Sequence, residues 1–514
     1  MKIKYIVLAL LFTSAVITGC AGQIINEQGV KEPDKAGENV VMTKERSDDW
    51  KAEEKTDDVS SQNLSIPASE AERVEISFEE KEKKGIWDSY KGGAEADYAV
   101  ASTDEGAPKE IQAIIDDYNK WAVETADKEL NEATARWERY NARDPDSFIA
   151  LTPWIGMKLT RSDTSIISFA TRIRRYNREY EPDADYLYGH TFDAGSGREL
   201  GLWDFVSDLD ALTDVLLDTL KIKSANYSGE RKEFYLDENF KKRVRESVKG
   251  NRRDGLFAFS VSPTGFVFYL ADPFYKEDYL YYDVEEVEIP FSLCSGFLCK
   301  EVEAAYDYVS SFPTYYLEKV YGYNAGDKHY YSAFGARKDG GKYLYLPGDD
   351  EVLSYRVSDT GLEYLGSTIG DFEYNDHPSY ETVIDPENIG MQTSAYLLVE
   401  LLNLRATARI GEDGMLEYKE LFVPEYNIFP MLVTGSFEAE VFADEKDEHP
   451  TKKVLKENTE LFFVRTDAQS FIDLEISGSG EICRLYITGN DEEGFMVNGH
   501  PVDQVMQTEI IYEE

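Results

Sequence analysis

The sequence predicts an α+β fold: a mainly antiparallel sheet with inserted helices, followed by all-β modules. Three observations carry this expectation. One long stretch repeats apolar residues at helical steps, Ile111, Ile114, Ile115, Tyr118, Trp121 and Ala122. Several shorter stretches alternate apolar and polar residues with a period of two, such as Ile167, Phe169, Thr171 and Ile173. Beyond about residue 325 the helical period disappears, and short strands alternate with Gly- and Asp-rich turns.

Taken in order, Val74–Phe78 reads as a short strand followed by a looser acidic stretch. Pro108 suits the first turn of a helix that runs to about Asn141. Trp154–Leu159, Ile166–Tyr176 and Tyr186–Phe192 are strands by alternation, and Asp208–Leu220 and Glu238–Val248 are amphipathic helices. Leu256–Val261 and Phe266–Leu270 form a hairpin through the turn Ser262-Pro263-Thr264-Gly265, and Glu286–Phe291 is a further strand. Lys342–Leu346, Val352–Val357 and Leu362–Leu365 follow as short strands. The apolar run Thr393–Ile410 fits a bent strand pair or partial helix. Phe437–Phe442, Leu461–Arg465, Phe471–Leu474, Ile482–Ile487 and Phe495–Val497 close the pattern, with Asn498-Gly499 as a turn.

The amino terminus carries a different signal. Lys2 and Lys4 precede an apolar run from Tyr5 to Val16, and Ile17-Thr18-Gly19-Cys20 follows. The run is too short to span a bilayer, and small residues leading to a cysteine resemble a bacterial lipoprotein signal peptide. The resemblance implies diacylglycerol on Cys20 and an anchor on the extracellular face of the membrane. Residues 1–19 then form the signal and 20–73 a polar tether that cannot bury enough surface to fold. As a flexible coil of about 50 residues it spans roughly 40 Å. The remaining segments are an envelope domain over 74–322, a β-rich module over 323–450 and a small barrel over 451–514.

Composition narrows the partners. Lys and Arg total 54 against 99 Asp and Glu, a formal net charge of −45. Such a field repels nucleic acid and favours cationic partners. The 35 tyrosines suit half-buried strands and amphipathic binding surfaces. Of the four cysteines, Cys294 and Cys299 can close a small disulfide loop through Ser295-Gly296, or stand as two thiols at a strand end. The five histidines are scattered singly, and no second Cys or His pair lies at metal-ligand spacing, so neither a metal nor a cofactor is expected.

No nucleophile elbow, zinc-protease motif or phosphate-cradling loop is present. With 99 acids, carboxylate pairs such as Asp349/Asp350 carry no catalytic signal, and the chain is expected to be non-enzymatic. The binding candidates are Arg172, Arg174 and Tyr176, a basic and aromatic stripe expected at the surface, and the acidic loop with Asp183, Asp185 and Tyr186.

The stretch Phe192-Asp193-Ala194-Gly195-Ser196-Gly197-Arg198-Glu199-Leu200-Gly201-Leu202-Trp203-Asp204-Phe205 is similar to a strand–turn–helix segment of an envelope domain family. Ile166–Phe169, the hairpin Phe257–Leu270 with Ala271–Tyr275 after it, and Val287–Phe291 match the same family in position. It forms the extracellular part of sigma-V type anti-sigma factors and the N-terminal module of certain peptidoglycan deacetylases. The likeness covers roughly residues 75–300. Asn177–Tyr186 stands where that family has a Gly-Gly-Ala-His loop. The resemblance implies a basic protein such as lysozyme as a ligand. Together with the lipoprotein signal and tether it leads to the expectation of a surface lipoprotein that binds an envelope ligand, a peptidoglycan fragment or such a protein. The alternatives are a structural or assembly lipoprotein without small ligand and a wall-active hydrolase. The segment Val454–Glu514 resembles a small SH3-like barrel of clostridial surface lipoproteins, through Phe462–Asp467 and Val497-Asn498-Gly499.

Overall fold

The computed structural model describes residues 64–507, apart from 105, 146, 178–182, 225–228, 251–256, 272–280, 283, 322, 324–332, 349–350, 359–360, 374–382, 398–399, 426–429, 448 and 490–493. Cys20, with its lipid-attachment assignment, lies outside them.

The first sheet has six strands and is formed mostly by neighbours in sequence. β1 (Ile76–Asp88) and β2 (Gly92–Thr103) make a hairpin, α1 (Lys109–Arg143) crosses over, and β3 (Ile149–Ser162) pairs parallel with β2. β4 (Ile166–Asn177) and β5 (Asp183–Asp193) continue it antiparallel. α1 packs its apolar stripe on one face, with Ile111, Ile114, Ile115, Tyr118, Ala122 and Ala126 against Ile155, Met157, Leu159, Ile167, Phe169 and Phe192. Burial of that stripe, rather than helix propensity alone, holds a helix of this length on the sheet. Beyond Tyr98 β2 loses its pairing with β3, and helix side chains replace it. The Tyr118 hydroxyl donates to the Ala99 carbonyl at 2.8 Å, and the Asn119 amide group satisfies both backbone groups of Ala101.

Three helices follow: α2 (Leu209–Ser224), α3 (Gly229–Leu236) and α4 (Glu238–Gly250). β6 (Phe257–Val261), β7 (Gly265–Ala271) and β9 (Val284–Pro290) form a second, antiparallel sheet, while β8 (Tyr281–Tyr282) pairs parallel with β5. The helices cover one face of this second sheet through Leu212, Leu216, Leu220, Phe240 and Val244 against Phe257, Phe259, Phe266, Phe268 and Ile289. Its other face lies on the first sheet, with Ala258, Val267 and Tyr269 meeting Ala170 and Leu187. The layers therefore run α1, first sheet, second sheet, helices. Gly189 makes the sheet contact close: a Cβ there would sit 2.0 Å from the Phe259 carbonyl oxygen.

The middle region is mostly β. β10 (Tyr308–Ser311), the short helix α5 (Leu317–Tyr321), β11 (Phe334–Lys338), β12 (Gly341–Pro347), β13 (Glu351–Ser358) and β14 (Gly361–Ile369) come in order. β15 (Asp371–Phe372) joins the next sheet, whereas β16 (Val383–Ile384) returns to the edge of β10. The third sheet thus begins at Tyr308, ahead of residue 323. The run Thr393–Ile410 resolves as the strand pair: β17 (Ile389–Leu397) and β18 (Glu400–Ile410) form a hairpin, flanked by β19 (Leu416–Tyr418) and β20 (Val423–Pro424).

The last sheet contains β21 (Met431–Leu432), β22 (Phe437–Phe442), β23 (Thr451–Leu455), β24 (Glu460–Thr466), β25 (Phe471–Ile476) and β26 (Ile482–Thr488). β27 (Met496–Val497), β28 (His500–Pro501) and a final turn of helix, α6 (Val502–Val505), complete it. Leu402 and Leu404 of β18 share its core with Phe437, Leu461 and Leu474. The fold is mostly β, with several antiparallel sheets. Among the described residues no helix is long and apolar enough to cross a membrane.

Candidate functional site

Alternation on β3 and β4 sends Lys158, Thr160, Ser168, Ala170 and Arg172 to the face opposite α1. This face was expected to meet water, but the second sheet covers it. Ser168 and Ala170 are fully buried, and Arg172 and Arg174 are half-buried. Polar side chains here tie sheet to sheet: Thr160 donates to the Val261 carbonyl at 3.0 Å, and the Val261 amide donates to the Ser168 hydroxyl at 2.8 Å. They satisfy the outer edge of β6, which the three-stranded sheet leaves open.

Toward β9 the two sheets part and leave a cavity of about 180 Å³. β3 contributes Lys158 and Thr160, β7 contributes Val267, and β9 contributes Glu286 and Glu288. Ser262 comes from the hairpin turn, and Ser310, Ser311, Pro313 and Tyr315 come from β10 and the turn after it. The wall is therefore shared between the first three sheets. Glu286 and Glu288 lie two apart on β9, so they share one face while Val287 and Ile289 point into the core beneath α2.

The two carboxyls differ electrically. Burial would raise Glu286, but the Lys158 ammonium that pairs with it, backed by Arg172 and Lys223, outweighs burial and holds the group below its ordinary value. Glu288 forms no such ion pair among the described residues, and Lys158 offsets its burial only in small part. Burial pushes its carboxyl up to about 7, despite hydroxyl donors from Thr264 at 3.1 Å, Ser262 at 3.3 Å and Ser311 at 3.4 Å. The Tyr315 hydroxyl donates to the Glu288 carbonyl at 3.2 Å and braces the strand from the third sheet. Near neutral pH the cavity thus holds an ion pair, a carboxyl close to half-titration and several hydroxyls. It can exchange one proton with a bound group and hydrogen-bond hydroxyls, amides or an ammonium. Among the described residues no group of three or more metal-ligating side chains converges.

Arg172 belongs to this electrostatic setting, acting on Glu286 and on the Tyr269 hydroxyl. The expected surface stripe is therefore corrected: Arg172 lies at the junction of two sheets. Arg174 stands in register with Asp185, and Tyr176 with Thr152. The side chains of Tyr176, Asp183, Asp185 and Tyr186 lie outside the described residues. Cys294 and Cys299 are free thiols rather than a closed loop. Cys294 is buried in the core under α2, whereas Cys299 is exposed, with its Sγ 3.9 Å from the Asp204 carbonyl.

Lys158, Glu286 and Glu288 were not singled out from sequence. Lys158 and Glu286 are 128 positions apart, and each reads alone as an ordinary charge on the wet side of a strand.

No protein-family model matches the chain, and no curated protein matches it. Its neighbours among solved structures are members of the DUF3298 family. One, from Bacteroides fragilis, is 11% identical, covers 44% of this chain and 93% of its own, and has a TM-score of 0.30. Another, from Pseudomonas aeruginosa, is 11% identical with the same coverage and a TM-score of 0.24. A likeness to the anti-sigma factor and deacetylase domains is not shown by these matches.

Proposed function

We propose that this chain is a cell-surface lipoprotein, held on the bilayer through diacylglycerol on Cys20, whose folded body binds a small polar envelope ligand in the cavity between its sheets. The observation that carries the reading is the half-buried Glu288 carboxyl, set among hydroxyl donors with no ion-pair partner of its own among the described residues. Leaving such a group in a fold costs stability, and ligand sites are where that cost recurs. The volume suits a sugar- or amino-acid-sized group rather than a drug-sized molecule. A muropeptide offers both hydroxyls and an amine of this size. A basic protein such as lysozyme would enter only through one inserted lysine or arginine side chain.

Calorimetric titration of the purified protein with soluble muropeptides, and separately with lysozyme, tests the binding half of the proposal. Flat heats for both remove it. Mass spectrometry of the amino terminus tests the other half, since an intact Met1 contradicts lipid attachment at Cys20.

A second reading, a wall-active hydrolase, draws on one observation. Glu286 and Glu288 sit two apart on one strand face, one held ionised and the other raised to about 7, and such a separation is how acid and base roles are divided in many enzymes. Turnover of labelled peptidoglycan that Glu288→Gln abolishes would favour it over simple binding.

A further inference from the structure

At the opposite end of the first sheet from the described amino-terminal residues lies a surface of different character. Tyr90 is 88% exposed, Trp87 49%, Phe148 45% and Ile86 39%. Trp87 and Phe148 meet edge to face with centroids 6.4 Å apart. Three rings and an isoleucine left in water at one sheet end cost solvation free energy that burial elsewhere would recover.

The platform is fixed rather than loose. The Asp88 carboxylate accepts the Tyr90 amide at 2.9 Å, and its carbonyl accepts the Lys91 amide at 3.2 Å. The Lys91 carbonyl accepts the Ile149 amide at 3.0 Å, which binds the β1–β2 turn to the loop that carries Phe148. Gly92 at φ +76° permits this approach, since a Cβ there would sit 2.1 Å from the Ile149 oxygen. The backbone that carries the rings is therefore held in one arrangement, which lowers the ordering cost of binding.

Three features decide what they meet. The described chain begins at Leu64 beside Asp193, where the Ser65 amide donates to that carboxylate at 2.8 Å. That end is separated from Trp87 by the length of β1, about 40 Å for thirteen residues. The rings therefore lie at the end of the folded body away from its first described residues. Around the rings Lys84, Lys91 and Arg143 stand against Glu82, Asp88, Glu95 and Asp144, close to balance in a protein of net charge −45. This is a place where a neutral partner meets little repulsion. Finally, hydrogen-bonding side chains (Ser89, Lys91, Ser147) alternate with the rings along the chain, each at least partly exposed. A flat ring with an apolar face and hydroxyl edges matches that alternation, whereas a lipid surface or a protein core would not.

We infer that Trp87, Tyr90 and Phe148 form a docking surface for an uncharged pyranose chain, separate from the cavity and aimed at the glycan of a cell wall. The assignment rests on the envelope reading only for the source of the glycan. Binding positions the body along the wall while the cavity samples small fragments.

The test uses the purified protein with N-acetylglucosamine oligomers as probe, followed by tryptophan fluorescence, and cosedimentation with insoluble peptidoglycan. The expected result is a saturable fluorescence change that Trp87→Phe removes, and at least a tenfold loss of cosedimentation in the Trp87→Ala/Tyr90→Ala double variant. Both residues are exposed, so the fold should survive, and circular dichroism checks that. Glu288→Gln should leave this titration unchanged while altering muropeptide binding, which separates the two sites. An unchanged double variant overturns the inference. So does partition onto phosphatidylcholine vesicles without any oligosaccharide response, or a dimer that the double variant abolishes.

Discussion

The two faces of the first sheet differ in how they are filled. Under α1 the contact is mainly apolar and built from shape: Ala94 and Ala96 are fully buried, which lets the helix lie close, and Phe169 packs between Tyr118 and Phe192, with a buried ion pair, Glu129–Arg175, nearer the far end of the helix. On the reverse face the second sheet is joined by hydroxyl-to-backbone bonds and a lysine–glutamate pair, beside a carboxyl that burial pushes up to about 7. The first face is largely what hydrophobic patterning dictates, and its buried carboxylate, Glu129, is fully paired by Arg175. The second keeps polar groups where apolar ones would be more stable, and that contrast marks the candidate site.

Substitutions should separate the faces by size of effect. Phe169→Ala, on the α1 face, should destabilise the protein by about 4 kcal/mol in chemical denaturation, because the ring is fully buried and its neighbours cannot close around the gap. Ala94→Leu should cost about 2 kcal/mol by overfilling the space between β2 and the Ala133–Trp137 stretch of α1. A loss below about 0.5 kcal/mol in either variant would mean that the α1 face is looser than described.

The wet face should respond mainly through pH. Glu288 titrates near 7 when folded and near 4.5 when exposed, so between those values the folded state holds the additional proton. Stability therefore falls as pH rises through that window and levels off above it. Glu288→Gln preserves the neutral shape and should flatten the decline. Above pH 7 it should exceed the parent by about 1.5 kcal/mol, after allowing for the water that reaches a half-buried group. Parallel stability profiles for the two proteins would refute the assignment. Lys158→Met should change stability least, by under about 1 kcal/mol, because Arg172 and Lys223 still act on Glu286. Its effect should appear in ligand affinity, with at least about a tenfold loss in calorimetry.

The same contrast explains what could be read from sequence. The helix expected over Pro108–Asn141 is α1, and the alternation of Ile167, Phe169 and Thr171 gave the α1 face of β4 correctly. The hairpin turn at Ser262–Gly265 is also where the sequence placed it. The β1–β2 hairpin was missed beyond Phe78. Glu79–Lys84 is an edge segment with charges on both faces, and β2 uses alanines where branched residues would signal a strand. The candidate site was hidden for a different reason. Val284–Pro290 alternates Glu with Val and Ile, which specifies two unlike faces but not what covers the polar one. The signal present was indirect: Gly156, Ala170 and Gly189 fall on the same sheet face, too small for a surface meant only for water.

Proton-linked calorimetry addresses the central claim most directly: muropeptide titrated into the purified protein at pH 6 and pH 8, in buffers of different ionisation heat, beside Glu288→Gln. Saturable binding that tightens toward pH 8, with a proton released by the parent and none by the variant, is the expected result. Absence of saturable heat at both pH values, or an identical proton count in the two proteins, would contradict the account.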